Sequence, residues 1–220
     1  MLLVRVVVVQ YNQHMSPRFG DDDPYRAAET DSDLIRRGRS GDLQAFDELV
    51  LRHYRNVYNL AYRLAGNHDD AQDITQEAFI RVHNALPSFR GDANFTTWLY
   101  RIVKNVFLDE RKKQRIRNHS SLEEMVDLED NSVARQVEDP RPGPEWAIER
   151  GERAQIVQHA VLQLPQNQRL MIALYHFQHR TYEEIAEIMG LPIGTVKSRL
   201  NRAKLALKKK LDSMRELLES

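Results

Sequence analysis

Asp69, Asp73 and Glu77 recur at every fourth residue, a spacing that could set three carboxylates together for a divalent cation or for acid–base work. All three fall on one polar helix face, with no further ligand cluster and no substrate pocket to accompany them, so a metal-dependent enzyme is a weak reading. His176 and His179 in "YHFQHR" form an i, i+3 pair without a third partner, and the 8 histidines show no ligand spacing. There is no cysteine, which excludes disulfides, thiolate metal sites and thiol redox sensing by this chain. No catalytic residue, metal or cofactor is expected.

Concentrated positive charge is the chain's strongest chemical feature. The formal net charge is zero, from 32 Lys plus Arg against 32 Asp plus Glu, but the sign alternates along the chain. "GLPIGTVKSRLNRAKLALKKK" carries Lys197, Arg199, Arg202, Lys204, Lys208, Lys209 and Lys210 and no acid. Residues 100–117 carry Arg101, Lys104, Arg111, Lys112, Lys113, Arg115 and Arg117 against Asp109 and Glu110. Between these blocks, residues 118–149 are strongly acidic. The neutral total is therefore two basic surfaces separated by an acidic spacer, a pattern suited to an anionic partner.

The elements that must carry these surfaces read as helices throughout. Apolar residues recur at three and four, and Ala, Leu, Glu, Arg and Gln dominate the periodic stretches. The expected fold is all-α, with two small helical domains joined by a flexible acidic linker: an extension over 1–32, domains over 33–117 and 146–220, and the linker over 118–145. "MLLVRVVVVQ" is apolar but spans about ten residues where a membrane helix needs roughly 20, and Arg5 interrupts it. No small-residue cleavage site follows it. Residues 1–14 are expected to be a disordered extension, with Met15 as an alternative start, and no stable membrane insertion is expected.

In the first domain, a short and a long helix are expected between Asp33 and Gly66, broken at Gly41. A third runs from about Asp69 to Ala85 with Ile74, Ala78 and Val82 inward. After the Pro87 and Gly91 interruption, a fourth buries Leu99, Ile102, Val103 and Val106. Trp98 is expected in the core, and Phe107 is left open. In the second domain, Thr181 and Glu184 form a Thr-x-x-Glu capping box, Ile185 and Met189 point inward, and Gly190 suits the left-handed position after the helix. Pro192 suits the first turn of the next helix, where Val196, Leu200, Ala203 and Leu207 form the inward stripe. A capped helix, a tight glycine turn and a second helix make a helix-turn-helix. The second helix of such a motif enters the major groove, where Arg, Lys, Asn, Ser and Thr have base-edge and phosphate partners.

"LPQNQRLMIALYHFQHRTYEEIAEIMGLPIGTVKSRLNRAKLALKKKL" resembles the promoter-upstream-binding domain of bacterial RNA polymerase sigma factors. "FDELVLRHYRNVYNLAYRLAGNHDDAQDITQEAFIRVHNALPSFRGDANFTTWLYRIVKNVFLDERKK" is similar to the other conserved domain of that family, and the two occur in the family's order. The short lead-in and linker resemble the extracytoplasmic-function class.

That resemblance implies a cytoplasmic, non-enzymatic factor that binds core RNA polymerase and directs it to promoter DNA. It implies Thr195, Lys197, Ser198, Arg199, Asn201, Arg202 and Lys204 at the upstream (−35) element. It implies Phe89, Arg90, Asp92, Asn94, Phe95, Lys104, Asn105, Asp109, Arg111 and Lys112 at the downstream (−10) element, captured as single strand. Asp70, Asp73, Gln76 and Glu77 would dock on the polymerase's clamp coiled coil, and an anti-sigma factor would cover both DNA-binding surfaces. Lys204 stands where the family commonly has Arg. The acids from Glu123 to Asp130 would follow the polymerase's RNA path. A helix-turn-helix regulator that acts without being a polymerase subunit is the alternative, and it leaves the first domain unexplained.

Overall fold

The computed structural model describes residues 29–91, 93–120 and 145–219. Residues 1–28 of the expected extension, Asp92 and the acids from Glu123 to Asp130 lie outside the described residues, while the extension's last residues, Thr30 and Asp31, already cap and open the first helix.

Helix α1 (Asp31–Arg39) opens with a capping box in which Thr30 and Asp33 satisfy each other's backbone N–H groups. Gly41, at φ 94°, turns the chain into α2 (Leu43–Ala65). There Asp42 caps the start, accepting from the N–H groups of Gln44 and Ala45. Gly66 ends α2 in the left-handed conformation, φ 87°. Helix α3 (His68–Ala85) is capped by Asn67, and a 3₁₀ turn at Leu86–Ser88 follows before α4 (Phe95–Ser120).

Helix α2 is the spine of this unit. Phe46, Leu49, Val50, Val57, Leu60 and Leu64 are all buried along it. Helix α3 adds Ile74, Ala78, Phe79 and Val82, and α4 adds Leu99, Val103, Val106 and Phe107. Phe107 is thus a core residue.

The second unit begins with α5 (Glu145–Leu162) and α6 (Gln166–Ile172). The expected single helix across "QNQRLMIALYHFQ" changes character: α6 widens into a π-helical turn at Ala173–Phe177, and the N–H of Gln178 reaches back to the Ala173 carbonyl. His179 follows at φ 52°. Helix α7 (Tyr182–Met189) and the long α8 (Ile193–Glu219) form the helix-turn-helix. Glu184 N–H donates to Thr181 Oγ1 at 3.2 Å, and Thr181 N–H donates to Glu184 Oε2 at 2.8 Å, so the expected capping box is present. Gly190 is left-handed at φ 68°. Pro192 stands just before α8 rather than within its first turn, and its carbonyl accepts from Val196 N–H at 3.1 Å.

Two expected inward positions are only partly covered. Ile188 is fully buried beside Ile185 in α7, and Met189 is partly buried and packs against the same core. Val196, Leu200 and Ala203 are buried in α8, while Leu207 is only partly covered.

The two units share one apolar core, which runs from Leu34, Leu60 and Leu99 into Val161, Leu170, Ile172, Ile185 and Leu200. The closest approach needs Gly66: a Cβ there would come within 2.4 Å of Leu162 Cδ1. Gln158, buried on α5, donates to the Tyr62 carbonyl at 3.2 Å and accepts from Arg63 Nη1 at 2.8 Å. Arg63 also lies over the Phe177 ring, 4.4 Å from its centroid, and burial pulls its pKa down. Sequence periodicity finds each unit but does not show that their surfaces meet.

Candidate nucleic-acid and protein interfaces

Helix α8 presents the expected basic face. Lys197, Ser198, Arg199, Asn201 and Arg202 are exposed and Thr195 is half-buried. Val196, Leu200 and Ala203 hold the opposite face against the unit, so the helix cannot roll its cations inward. Lys197, Arg199 and Arg202 form no ion pair among the described residues. Ser198 Oγ donates to the Thr195 carbonyl at 3.0 Å, leaving its oxygen able to accept.

Lys204 differs. Its ammonium sits 4.0 Å from the centroid of the Tyr175 ring, and it is half-buried. Tyr175 stacks on Tyr182 at 5.4 Å with 13° between ring planes. Lys197 lies 6.0 Å from the Tyr182 centroid. A tyrosine pair therefore runs beneath α8 between two of its lysines, and Lys204 is turned toward protein rather than outward as its place in the sequence suggests.

The basic helix α4 uses its cations otherwise. Lys104 Nζ donates to the Ile188 carbonyl at 2.9 Å, and burial followed by the Arg101 charge lowers its pKa. Arg101 Nη2 donates to the Glu187 carbonyl at 3.0 Å. Arg111 turns inward, reaching the Ala65 carbonyl at 3.3 Å and lying 5.5 Å from the Phe107 ring centroid. Burial lowers its pKa, and the Asp70 charge opposes that shift. Asp109 accepts from Arg81 at 2.7 Å. Of the expected α4 residues, Asn105, Asp109 and Lys112 are exposed, Asp109 with Arg81 as its partner.

The loop before α4 is likewise divided. Arg90 and Asn94 are exposed, and Asn94 Oδ1 accepts from Thr96 N–H at 3.2 Å at the start of the helix. Phe89 and Phe95, expected at the −10 element, are buried. Their centroids lie 4.7 and 5.7 Å from that of Trp98, and His53 packs 5.1 Å from Phe95. This cluster hides apolar rings that the loop would otherwise leave in water. Asp92 lies outside the described residues.

The acidic face of α3 is narrower than its sequence suggests. Asp73 is exposed, Gln76 is half-buried, and Asp70 is half-buried with Asn67 Nδ2 3.1 Å away. Glu77 pairs with Arg81 at 2.8 Å, and Arg81 carries Asp109 on its other nitrogen. These two hydrogen bonds hold the Arg81 pKa above its usual value. Glu77 is therefore half neutralised, and Asp70 and Asp73 dominate the face beside a shallow pocket lined by Phe107, Glu110 and Arg111.

Several residues without a sequence signal organise these surfaces. Arg169 on α6 bonds the carbonyls of Leu64, Leu162 and Leu164, so one guanidinium closes the ends of two helices. Burial and the neighbouring Arg111 charge push its pKa down to about 10. Gln178 accepts from Tyr100 OH at 2.7 Å and donates to the Asn56 carbonyl at 3.3 Å. Local spacing cannot reveal either residue, since every partner but Leu162 and Leu164 is remote in sequence. Among the described residues no group of three His, Asp or Glu could hold a metal ion, and no helix is long and apolar enough to cross a membrane.

Sigma-70 region 2 matches residues 49–117 and Sigma-70 region 4 matches residues 154–207, the former spanning α2 to α4 and the latter the helix-turn-helix. The RNA polymerase sigma-H factor of Pseudomonas aeruginosa is 36% identical over 84% of this chain and 96% of its own length. The ECF RNA polymerase sigma factor SigW of Bacillus subtilis is 35% identical over 80% of this chain and 94% of its own. Among solved structures, CnrH in complex with the cytosolic domain of CnrY aligns with a TM-score of 0.61 and 25% identity, covering 84% of this chain and 99% of CnrH. RpoE in complex with the anti-sigma factor NepR, from Bartonella quintana, gives a TM-score of 0.61 and 27% identity over 76% of this chain and 96% of RpoE. With both regions present in order on one helix-turn-helix-bearing framework, the chain belongs to the extracytoplasmic-function sigma factors of RNA polymerase.

Proposed function

We propose that this sigma factor directs promoter-specific initiation through three surfaces divided between its two units, residues 33–117 and 146–220. The exposed face of α8 enters the major groove at the −35 element, with Thr195, Lys197, Ser198, Arg199, Asn201 and Arg202 at base edges and phosphates. Arg90, Asp92, Asn94, Asn105 and Lys112 receive the −10 strand. Phe89, Phe95 and Trp98 support that loop from beneath, and Lys104 joins it once its contact with α7 is released. Asp70, Asp73 and Gln76 dock on the basic side of the polymerase clamp coiled coil, with Glu77 tempered by Arg81.

The observation that carries this reading is the fixed outward presentation of Lys197, Arg199, Asn201 and Arg202 by a buried apolar stripe behind a capped turn. CnrH and RpoE are each held by a protein partner. The same two basic surfaces make an anti-sigma factor the expected inhibitor here, acting in the cytoplasm.

The test is transcription by core polymerase with the purified chain on a promoter library, followed by sequencing of the transcripts. Starts restricted to templates sharing an upstream and a downstream element are expected. Duplex binding with no polymerase-dependent initiation would instead favour a free-standing helix-turn-helix regulator.

A further inference from the structure

The loop assigned to the −10 strand hangs between two anchors, Leu86 in the 3₁₀ turn and Phe95 at the start of α4, both buried. Each anchor leads back to helix α1. At the upstream end, Gly38 lies so close that a Cβ there would come within 2.9 Å of Leu86 Cδ2. At the downstream end, the Phe95 ring centroid lies 5.1 Å from that of His53, a buried residue of α2. His53 is in turn held from α1, since its Nε2 lies 2.8 Å from Asp31 Oδ2. A carboxylate only accepts, so Nε2 carries a proton and donates.

Asp31 is itself fixed. Its Oδ1 accepts from Arg52 Nη1 at 3.2 Å, and the same nitrogen donates to the Glu29 carbonyl at 2.9 Å, while Arg52 Nε donates to Glu48 at 3.1 Å. The 9 residues of α1 cover about 13 Å at about 1.5 Å per residue, with Asp31 at one end and Gly38 near the other. Between them Leu34 is buried in the core, so α1 cannot shift at one anchor without moving the other. Packing alone does not call for histidine at position 53, where a leucine would fill the space with no ring nitrogen to satisfy.

We propose that His53 is a positioning residue for the −10 strand. Asp31 and His53 fix Phe95 while Gly38 seats Leu86, so α1 sets the spacing of the loop's two ends and with it the presentation of the exposed Arg90 and Asn94. The brace rests on the −10 reading above. His53 acts through Phe95 and does not itself reach the strand.

The test compares His53→Leu, which keeps the bulk and loses the donor, with His53→Gln, whose amide nitrogen can take the place of Nε2. Both are made in the full chain and assayed with core polymerase on the promoter library. His53→Leu is expected to weaken the preference for the selected downstream element about tenfold, the worth of one hydrogen bond to a charged group, and to leave the upstream preference unchanged. His53→Gln should retain both. Loss at both elements alike, or equal loss in the two variants, would overturn the positioning role. Gly38→Ala gains helix propensity and displaces Leu86, which keeps the brace testable should His53→Leu not fold. It is expected to weaken the downstream preference about threefold through overpacking at that anchor, and an unchanged preference counts against the brace.

A second arm needs no DNA. Trp98 lies 4.7 and 5.7 Å from the ring centroids of Phe89 and Phe95, and Trp146→Phe leaves it the chain's single tryptophan. Acrylamide should quench Trp98 at least about twofold more strongly in His53→Leu than in His53→Gln, as the loop opens locally. Equal quenching would refute the brace. If the unmodified chain shows no downstream preference on any template, the −10 reading fails, while the quenching arm still judges the brace.

Discussion

Helices α4 and α8 are the two basic helices of this chain, and their cations face different things. In α8, Lys197, Arg199 and Arg202 stand in solvent with no ion pair among the described residues. In α4, Arg101, Lys104 and Arg111 each end on a backbone carbonyl of another helix. The charge density is similar. What differs is the presence of unsatisfied helix carboxyl termini within reach of α4, those of α2 and α7, whereas the outward face of α8 meets none. A basic helix therefore announces an anionic partner only after the protein's own carbonyls have been counted.

The largest expected effect breaks the cation–carbonyl side of this contrast. Arg169 shares the end of α2 with Arg111 and serves three carbonyls. Arg169→Met strands those acceptors where the two units meet and is expected to lower unfolding stability by about 3 kcal/mol, since hydrogen bonds to charged groups are worth about 1.5–3 kcal/mol each. The urea midpoint reads this. Binding of a −35 duplex at low temperature should be unchanged, and a variant that stays stable but loses duplex affinity would contradict the structural role.

Arg199→Ala makes the opposite demand on α8. Losing a base or phosphate contact should weaken duplex binding by about 1–3 kcal/mol, roughly tenfold to a hundredfold. Stability should move by less than about 0.5 kcal/mol, as for an exposed position without partners. Comparable losses in both assays would erase the distinction between the helices. A smaller effect is expected upstream of it. Thr181→Ala removes the α7 cap, seen in both directions of its capping box, and should cost about 1 kcal/mol of stability. It should weaken duplex binding only as far as the unfolded fraction grows.

The helix-turn-helix was legible because all its signals are local: the Thr181 and Glu184 pair, Gly190, and the stripe of Val196, Leu200 and Ala203. The helices of the first unit were legible for the same reason. The burial of Phe89 and Phe95 was not legible because a loop with Pro87 and Gly91 looks open, and only the fold brings Trp98 against Phe89 and His53 against Phe95. Asp109 looked free because its partner Arg81 lies on another helix whose packing no periodicity states, whereas the Glu77–Arg81 pair is an i, i+4 pair within α3 that local spacing offers. The contact between the two units depends on Gln178, Arg169 and the missing Cβ of Gly66, each with a partner distant in sequence.

Lys204 and Lys197 bring the comparison down to single side chains on one helix. Both are lysines of α8 beside the Tyr175 and Tyr182 stack, yet Lys204 lies 4.0 Å from its ring and half-buried while Lys197 lies 6.0 Å from its ring and exposed. An ammonium at the closer distance gains a cation–π attraction of about 0.5–1 kcal/mol and would have to give it up to reach a phosphate. Each lysine that neutralises a phosphate contributes about −0.9 to the slope of log K against log salt. Lys197→Met should therefore make the slope shallower by about 0.9. Lys204→Met should leave it unchanged and lower the melting temperature slightly, through the lost tyrosine contact. Equal slope changes for the two would show that Lys204 leaves Tyr175 when DNA arrives, and that the tyrosine pair acts as a rest position for a lysine rather than a brace for the recognition helix.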